Sequence, residues 1–243
     1  MDIMNRIFPT VTNETRKYGG ILYYAQNDMT CYVLKGSHGD LLIDTGMFHI
    51  WRGLQKWLDQ YDIRYVLLTH AHADHDWNAA RLQSTGAKIL LSNRDKSLRR
   101  NFLSQSVKPT MPKYTLRNYT QCINGSIFKS PPYDADIYFD GKERSLLRKM
   151  GFDADIIPLP GHTYGSVGIY SNVVLYCGDA FTGIWKRPDI TPHAVSLKLM
   201  EKSLVRIMKL SPEWLACGHG LPMRFDKALP VIEEYLRNSG QYD

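Results

Sequence analysis

The segment HAHADH, residues 70–75, constrains this chain more than any other feature. It places three imidazoles and a carboxylate within six residues, directly after the apolar run of residues 65–68. A hydrophobic core does not require such a cluster, whereas nitrogen and oxygen ligands that point the same way suit a zinc-like cation. The segment therefore predicts a strand that leads into a metal-binding loop.

Three later segments, residues 160–163, 177–180 and 217–220, repeat this arrangement. Each follows a short apolar run and contains a glycine, which lets the backbone bend sharply and place a side chain in a cleft. Together the four segments present seven candidate ligands. They are His70, His72, Asp74, His75, His162, Asp179 and His219.

Composition is that of a soluble globular protein, with 44% hydrophobic and 22% charged residues. At this length we expect one domain, residues 1–243. No apolar run approaches the roughly 20 residues that cross a bilayer, and residues 1–20 lack the apolar stretch of a signal peptide. The four cysteines are not closely spaced, which predicts reduced thiols and a cytoplasmic location.

Apolar patterns alternate between strand and helix along the chain, which predicts an α/β fold. The expected strands include residues 21–26, 31–35, 41–44, 65–68 and 88–91. The expected helices are residues 50–61, 77–83, 195–209 and 225–236.

Residues 93–150 interrupt this pattern as a basic, proline-containing insertion, which we expect to act as a lid or to shape the substrate site. Within residues 94–117, seven basic side chains face one acidic side chain. This charge indicates either a rim that attracts an anionic partner or an ordinary solvated surface. Nucleic acid is not the favoured partner, because no recognisable nucleic-acid module accompanies the charge.

These motifs resemble the metallo-β-lactamase superfamily, in which an HAHADH-like segment precedes separate His, Asp and His turns. Residues 41–46, LLIDTG, look like the Asp-containing turn of that family. The resemblance covers about residues 20–220 and implies an αβ/βα four-layer sandwich, with the metal site along the edge between two sheets. Tyr164 is a departure, because relatives often have Pro or Ala at that position.

The resemblance also implies a centre of two divalent metal ions. These would be Zn²⁺, with Mn²⁺ or Fe²⁺ as alternatives. His70, His72 and His162 would hold the first ion, and Asp179 would bridge the two.

The second ion would be held by Asp74, His75 and His219. Asp74 would also be catalytic, since it is placed to orient the nucleophile and to shuttle a proton. Asp44 would support the HAHADH loop from behind the ligands, although a turn-forming role explains it equally well.

A complete ligand set implies a hydrolase in which a metal-bridging hydroxide attacks an ester, lactone or thioester bond of a small molecule. One alternative is a phosphodiesterase or nuclease acting on an anionic substrate. Another is an iron-dependent sulfur dioxygenase or other redox enzyme on the same scaffold. A binding protein with a relic site would have lost ligands, and none is lost here. Tyr164, Phe181 and His193, the last in the loop of residues 185–194, are the expected substrate contacts.

Overall fold

The computed structural model describes residues 11–12, 18–140, 143–183 and 187–240. Most of the segment considered above for a signal peptide, residues 1–10 and 13–17, lies outside the described residues. So do residues 141–142 of the insertion and residues 184–186, at the start of the loop that leads to His193.

The strands are numbered in chain order. They are β1 (Val11–Thr12), β2 (Leu22–Gln26), β3 (Met29–Leu34), β4 (Asp40–Ile43), β5 (Ile63–Leu67), β6 (Lys88–Ser92), β7 (Lys108–Pro109), β8 (Ile137–Phe139), β9 (Asp155–Pro158), β10 (Val167–Ser171), β11 (Val174–Gly178), β12 (His193–Ala194), β13 (Trp214–Cys217) and β14 (Met223–Arg224). The α-helices are α1 (Trp51–Leu58), α2 (Ala73–Asp76), α3 (Ala79–Ser84), α4 (Thr115–Ile127), α5 (Leu146–Lys149), α6 (Leu197–Leu210) and α7 (Phe225–Asn238).

Two sheets organise the described residues. The first has the order β1-β2-β3-β4-β5-β6-β8, antiparallel from β1 to β4 and parallel from β4 to β8. The second has the order β14-β13-β11-β10-β9, in which only the β11–β13 pair is parallel. A small ribbon pairs β7 with β12 and so joins the insertion to the segment that carries His193.

Alternating side chains give the sheets two apolar faces. On β4, Leu41 and Ile43 pack between the sheets with Ile169 of β10, whereas Leu42 faces outward against Leu54 of α1. The outer face of the second sheet is covered in the same way by α6 and α7. Full burial of such a side chain contributes about 1.5–3 kcal/mol to folding. The order helix, sheet, sheet, helix confirms the expected α/β four-layer sandwich.

Some element boundaries differ from the sequence-based expectation. The helix expected over residues 77–83 begins later, at Ala79, and a separate helical turn, α2, precedes it and carries two candidate ligands. Within the insertion, α4 is a regular helix whose apolar side chains stay exposed, including Leu116 at 76% and Ile127 at 67%. The sequence of α4 lacks a clear helical periodicity of buried residues because these side chains do not join the core.

All four cysteines are free thiols. The sulfur atoms of Cys177 and Cys217 lie 3.6 Å apart on the neighbouring strands β11 and β13. Among the described residues, no helix has both the length and the apolar character needed to cross a bilayer. The assignment of the whole chain to one domain stays a prediction.

Candidate metal centre

The candidate ligands lie in loops at one edge of the two sheets. His70 and His72 follow β5, and α2 then carries Asp74 and His75. His162 follows β9, Asp179 directly follows β11, and His219 lies two residues after β13. Because β11 and β13 are parallel, their carboxyl ends meet at the same edge. The fold thereby brings all seven candidate side chains together.

Three imidazole nitrogens converge in the first part of the site. Nε2 of His70 lies 3.1 Å from Nδ1 of His72, and Nε2 of His162 lies 2.9 Å from the same atom. The three rings are buried. Three ring nitrogens that converge this closely are arranged as a cation site requires.

Asp179 joins this group to the second part of the site. Its Oδ2 lies 3.6 Å from Nε2 of His162 and 3.4 Å from Nε2 of His219, and its Oδ1 lies 3.4 Å from Nε2 of His75. Asp74 completes the second group, with Oδ2 3.3 Å from Nε2 of His219. The Asp179 carboxylate thus contacts ligands of both groups, His162 of the first and His75 and His219 of the second, as a carboxylate shared by two cations would.

The donor set fits divalent cations. The ligand atoms form three overlapping groups in which all atoms lie within 4.8 Å of one another. Nε2 of His75 and Oδ1 of Asp179 are buried and have no hydrogen-bond partner, and leaving such atoms unsatisfied costs about 1–3 kcal/mol each. Imidazole nitrogen and carboxylate oxygen are donors for zinc, manganese and iron.

Glycine lets the second group assemble closely. A Cβ atom on Gly218 would lie 2.3 Å from Cε1 of His75 and 2.6 Å from Oδ1 of Asp179. Any side chain at this position would therefore displace a candidate ligand, which explains the glycine before His219.

The ligand rings are held from behind by hydrogen bonds on their other nitrogen atoms. Nδ1 of His162 lies 2.9 Å from the backbone oxygen of His193, and Nδ1 of His219 lies 3.2 Å from that of Asp28. Such contacts select the ring tautomer and fix its orientation. They leave the Nε2 atoms free for a cation.

Asp44 connects both parts of the centre. Its carboxylate accepts hydrogen bonds from the backbone N–H and the hydroxyl of Thr69, both at 2.8 Å, and it lies 2.8 Å from Nδ1 of His75. The Thr69 hydroxyl lies in turn 3.1 Å from Nδ1 of His70. Asp44 has a positive φ of 58°, and Asp is among the residues that tolerate this conformation at a functional turn. Asp44 thus lies behind the candidate ligands, and its role in supporting them stays a prediction.

Asp95, the lone acid among the basic side chains of residues 94–117, was not among the expected site residues. It is fully buried and accepts hydrogen bonds from the Ala71 N–H (3.3 Å), the Thr163 hydroxyl (2.7 Å), the Gly165 N–H (2.9 Å) and the Gln105 amide (2.9 Å). These partners lie in the HAHADH loop, the His162 loop and the insertion. An acidic residue directly after a buried strand was the only available signal, and it is a weak one.

Burial lowers the pKa of His70, His72 and His162 below the usual histidine value. All three rings are therefore neutral near pH 7, and each keeps a lone pair for a cation. The first group is thus already in the protonation state that metal binding needs.

The second group differs. Burial acts against the charge of His75, but the carboxylates of Asp44 and Asp179 outweigh it and raise the pKa of that ring well above its usual value. Burial likewise opposes the charge of Asp179, and the neighbouring His219 and His75 overcome this and lower its pKa. Cation binding here must displace protons from histidine, so it is favoured as pH rises.

The three expected substrate contacts occupy different environments. Tyr164 is 44% exposed beside the His162 loop, and its backbone N–H donates to Gln105. His193 is buried, its ring centroid lies 4.8 Å from that of His162, and neither of its ring nitrogens has a hydrogen-bond partner. Phe181 is fully buried in the outer core of the second sheet. A substrate contact does not fit Phe181, because its ring presents no surface to a bound molecule.

The chain is similar to a family model and to two curated proteins. A family model described as the metallo-beta-lactamase superfamily matches residues 28–219. The protein YobT of Bacillus subtilis is 27% identical over 219 residues, which cover 81% of this chain and 84% of YobT. The hydroxyacylglutathione hydrolase GloC of Haemophilus influenzae is 29% identical over 165 residues, which cover 65% of this chain and 69% of GloC.

Among solved structures, the protein TTHA1623 in a di-iron-bound form is similar with a TM-score of 0.58. The two chains are 24% identical, and the match covers 84% of this chain and 93% of the other. At this identity the likeness shows a common fold.

Proposed function

This chain belongs to the metallo-beta-lactamase superfamily, and we propose that it is a binuclear metal-dependent hydrolase that cleaves an ester, lactone or thioester bond of a small molecule. The observation that carries the proposal is the position of Asp179, whose carboxylate lies 3.6 Å from His162 of the first group and 3.4 Å from both His75 and His219 of the second. A single carboxylate shared in this way suits two cations.

Zn²⁺ is the favoured metal, because histidine nitrogens and carboxylate oxygens are its usual ligands outside thiolate sites. His70, His72 and His162 would hold one ion, Asp74, His75 and His219 the other, and Asp179 both. Bound there, the ions would supply Lewis acidity and make coordinated water acidic near neutral pH.

The protein supplies orientation and proton transfer. Asp74 is partly exposed at the open side of the centre, where its free oxygen can hold a water molecule or the leaving group and exchange a proton with it. His193 lies deeper, and burial lowers its pKa to about 3. Its neutral ring can therefore donate one hydrogen bond to a substrate oxygen near pH 7. Tyr164 is proposed as a second contact at the surface.

A thioester or ester is preferred to the other bond types because the likeness to a hydroxyacylglutathione hydrolase covers 65% of this chain. A phosphodiester is the second candidate, and the cations Arg100 and Arg117 near the centre favour it. Arg117 is among the charges that act on His193. Free cysteines agree with a cytoplasmic location, which is also part of the proposal.

Iron-dependent redox chemistry is the candidate of another class, supported by the relative solved in a di-iron-bound form. Elemental analysis of the purified protein separates the two classes. About two zinc or manganese ions per chain, without oxygen consumption, support the hydrolase. Iron together with oxygen consumption by the purified protein would instead support the redox enzyme and reject the hydrolase.

The decisive experiment tests the zinc-loaded protein on a panel of substrates. It includes S-lactoylglutathione, a 4-nitrophenyl ester, a lactone and bis-4-nitrophenyl phosphate. We expect turnover of a carboxylic substrate, lost together with bound metal in Asp179→Asn. Asp189→Asn is the matched control, because Asp189 binds Lys113 and lies outside the candidate ligand set. Turnover of the phosphate alone would favour the phosphodiesterase, and full turnover by Asp179→Asn would reject the binuclear mechanism.

A further inference from the structure

A cavity of about 200 Å³ opens between the HAHADH loop and the insertion. Its inner end is formed by His72 and Asp74, so it reaches the candidate metal centre directly. Its other walls come largely from residues 98–102 and 125–130 of the insertion. The insertion therefore forms the approach to one side of the metal centre.

The middle of the cavity is apolar and aromatic. Phe102 and Phe128 line it together with Met47 and Leu98. The Phe102 ring lies against the metal loop, with its centroid 5.3 Å from that of His72. A Cβ atom on Gly125 would lie 2.6 Å from Cδ2 of Phe102, so this glycine lets α4 pack directly on the aromatic wall.

Two cations lie at the mouth. Arg100 and Lys129 line the cavity and are exposed, and neither side chain forms a hydrogen bond or an ion pair with another described residue. Their neighbour Arg99 is different, because its guanidinium binds Asp134 at 3.0 Å and lies over the ring of Tyr133. Arg100 and Lys129 are thus available to an anion, whereas Arg99 is used within the protein.

The cavity also contains one acid besides Asp74. Asp76 is buried in its wall and accepts hydrogen bonds from Ser130 and Tyr133 of the insertion. These contacts hold the insertion against the metal loop and occupy both carboxylate oxygens. The free charges at the mouth are therefore positive.

The cavity thus runs from the metal centre past an apolar wall to a cationic mouth. We propose that it binds the apolar arm of a substrate that ends in an anionic group. The scissile ester or thioester lies at the metal centre, the arm lies along Phe102 and Phe128, and the anionic end meets Arg100 and Lys129. The substrate class is an ester or thioester with a carboxylate at the far end of an aliphatic or aromatic arm. This inference rests on the proposed hydrolytic function and adds the specificity of the same site.

The test compares two esters that share a leaving group. In mono-4-nitrophenyl adipate the acyl arm ends in a carboxylate, and in 4-nitrophenyl hexanoate a methyl group takes its place. We expect the zinc-loaded protein to prefer the adipate in kcat/KM. Since exposed ion pairs contribute about 0.2–1 kcal/mol, Arg100→Gln and Lys129→Gln should each lower kcat/KM for the adipate by about 1.4- to fivefold. Neither should change that for the hexanoate.

Lys88→Gln is the matched control, because Lys88 is an exposed cation at the opposite end of β6 from the metal centre. It should leave the preference unchanged. Equal or better turnover of hexanoate by the wild-type protein would overturn the inference while leaving the hydrolase intact. So would a preference for adipate that survives in the Arg100→Gln, Lys129→Gln double variant.

A binding measurement separates failure of the inference from failure of the proposed function. Calorimetry of the zinc-loaded protein with 4-phenylbutyrate and 4-phenylbutanol requires no turnover. Weaker binding of the acid, but not of the alcohol, in the double variant supports the pocket even if neither ester is hydrolysed. Equal affinities of the wild-type protein and the double variant for the acid would overturn it.

Discussion

The carboxylate of Asp44 lies 2.8 Å from Nδ1 of His75, although 31 positions separate the two residues. The same carboxylate reaches His70 through the hydroxyl of Thr69. One buried acid thus orients a candidate ligand in each half of the centre.

Replacing Asp44 with Asn should weaken metal binding, because the amide offers one acceptor oxygen in place of two and carries no charge for His75. We expect a loss of about 10- to 100-fold in zinc affinity, measured by competition with a chelator. Asp40→Asn is a suitable control, since Asp40 is a buried acid of β4 that binds Lys35 instead. Unchanged affinity in Asp44→Asn would show that the contact does not support the centre.

Asp95→Asn should weaken the hydrogen bonds that connect the HAHADH loop to the His162 loop. An Asn side chain has one acceptor where Asp95 uses both oxygens for four donors. Leaving buried donors unpaired costs about 1–3 kcal/mol, which urea denaturation of the metal-free protein would measure. We also expect the first ion, which depends on both loops, to be lost before the second when zinc is titrated out. Simultaneous loss of both ions would contradict this role.

His193→Ala should reduce turnover without reducing metal content. The His193 ring lies 4.8 Å from the His162 ring at a tilt of 46°. Nδ1 of the ligand His162 is held instead by the backbone oxygen of His193, which alanine retains. If the ring donates to a substrate oxygen, its removal should lower kcat/KM by about tenfold or more, since a lost hydrogen bond of this kind is worth about 1.5 kcal/mol. A loss of zinc in the same variant would instead assign the residue to the metal site.

Asp76 predicts a pH dependence of stability in the metal-free protein. Burial raises its pKa to about 7, against the hydrogen bonds from Ser130 and Tyr133. Between its ordinary pKa and about pH 7, the folded state keeps a proton that the unfolded state releases, so stability falls as pH rises through this window. Asp76→Asn should remove this component, on the order of a few kcal/mol. Urea denaturation at pH 5 and pH 8 would show it, and parallel pH profiles for the two proteins would contradict it.

Local patterns in the sequence were sufficient to predict the α/β class and the seven side chains that converge on the candidate centre. The reason is physical: a strand has a period of two, a glycine turn ends it, and the residue in the turn is presented at the sheet edge. Each ligand of the set is encoded within a few residues of its own strand, and the resemblance then supplied the four-layer arrangement.

Asp95, Phe181 and the cavity beside His72 could be understood only from the tertiary structure. Asp95 acts through partners up to 70 positions away, and a buried acid looks the same in sequence as an exposed one. Phe181 follows a ligand in the chain, yet the path of the loop turns its ring into the core. Arg99 and Arg100 are adjacent and chemically identical. In the folded insertion, however, Arg99 forms an ion pair with Asp134, whereas Arg100 lies at the mouth of the cavity. Such choices depend on contacts between distant segments, which no local pattern records.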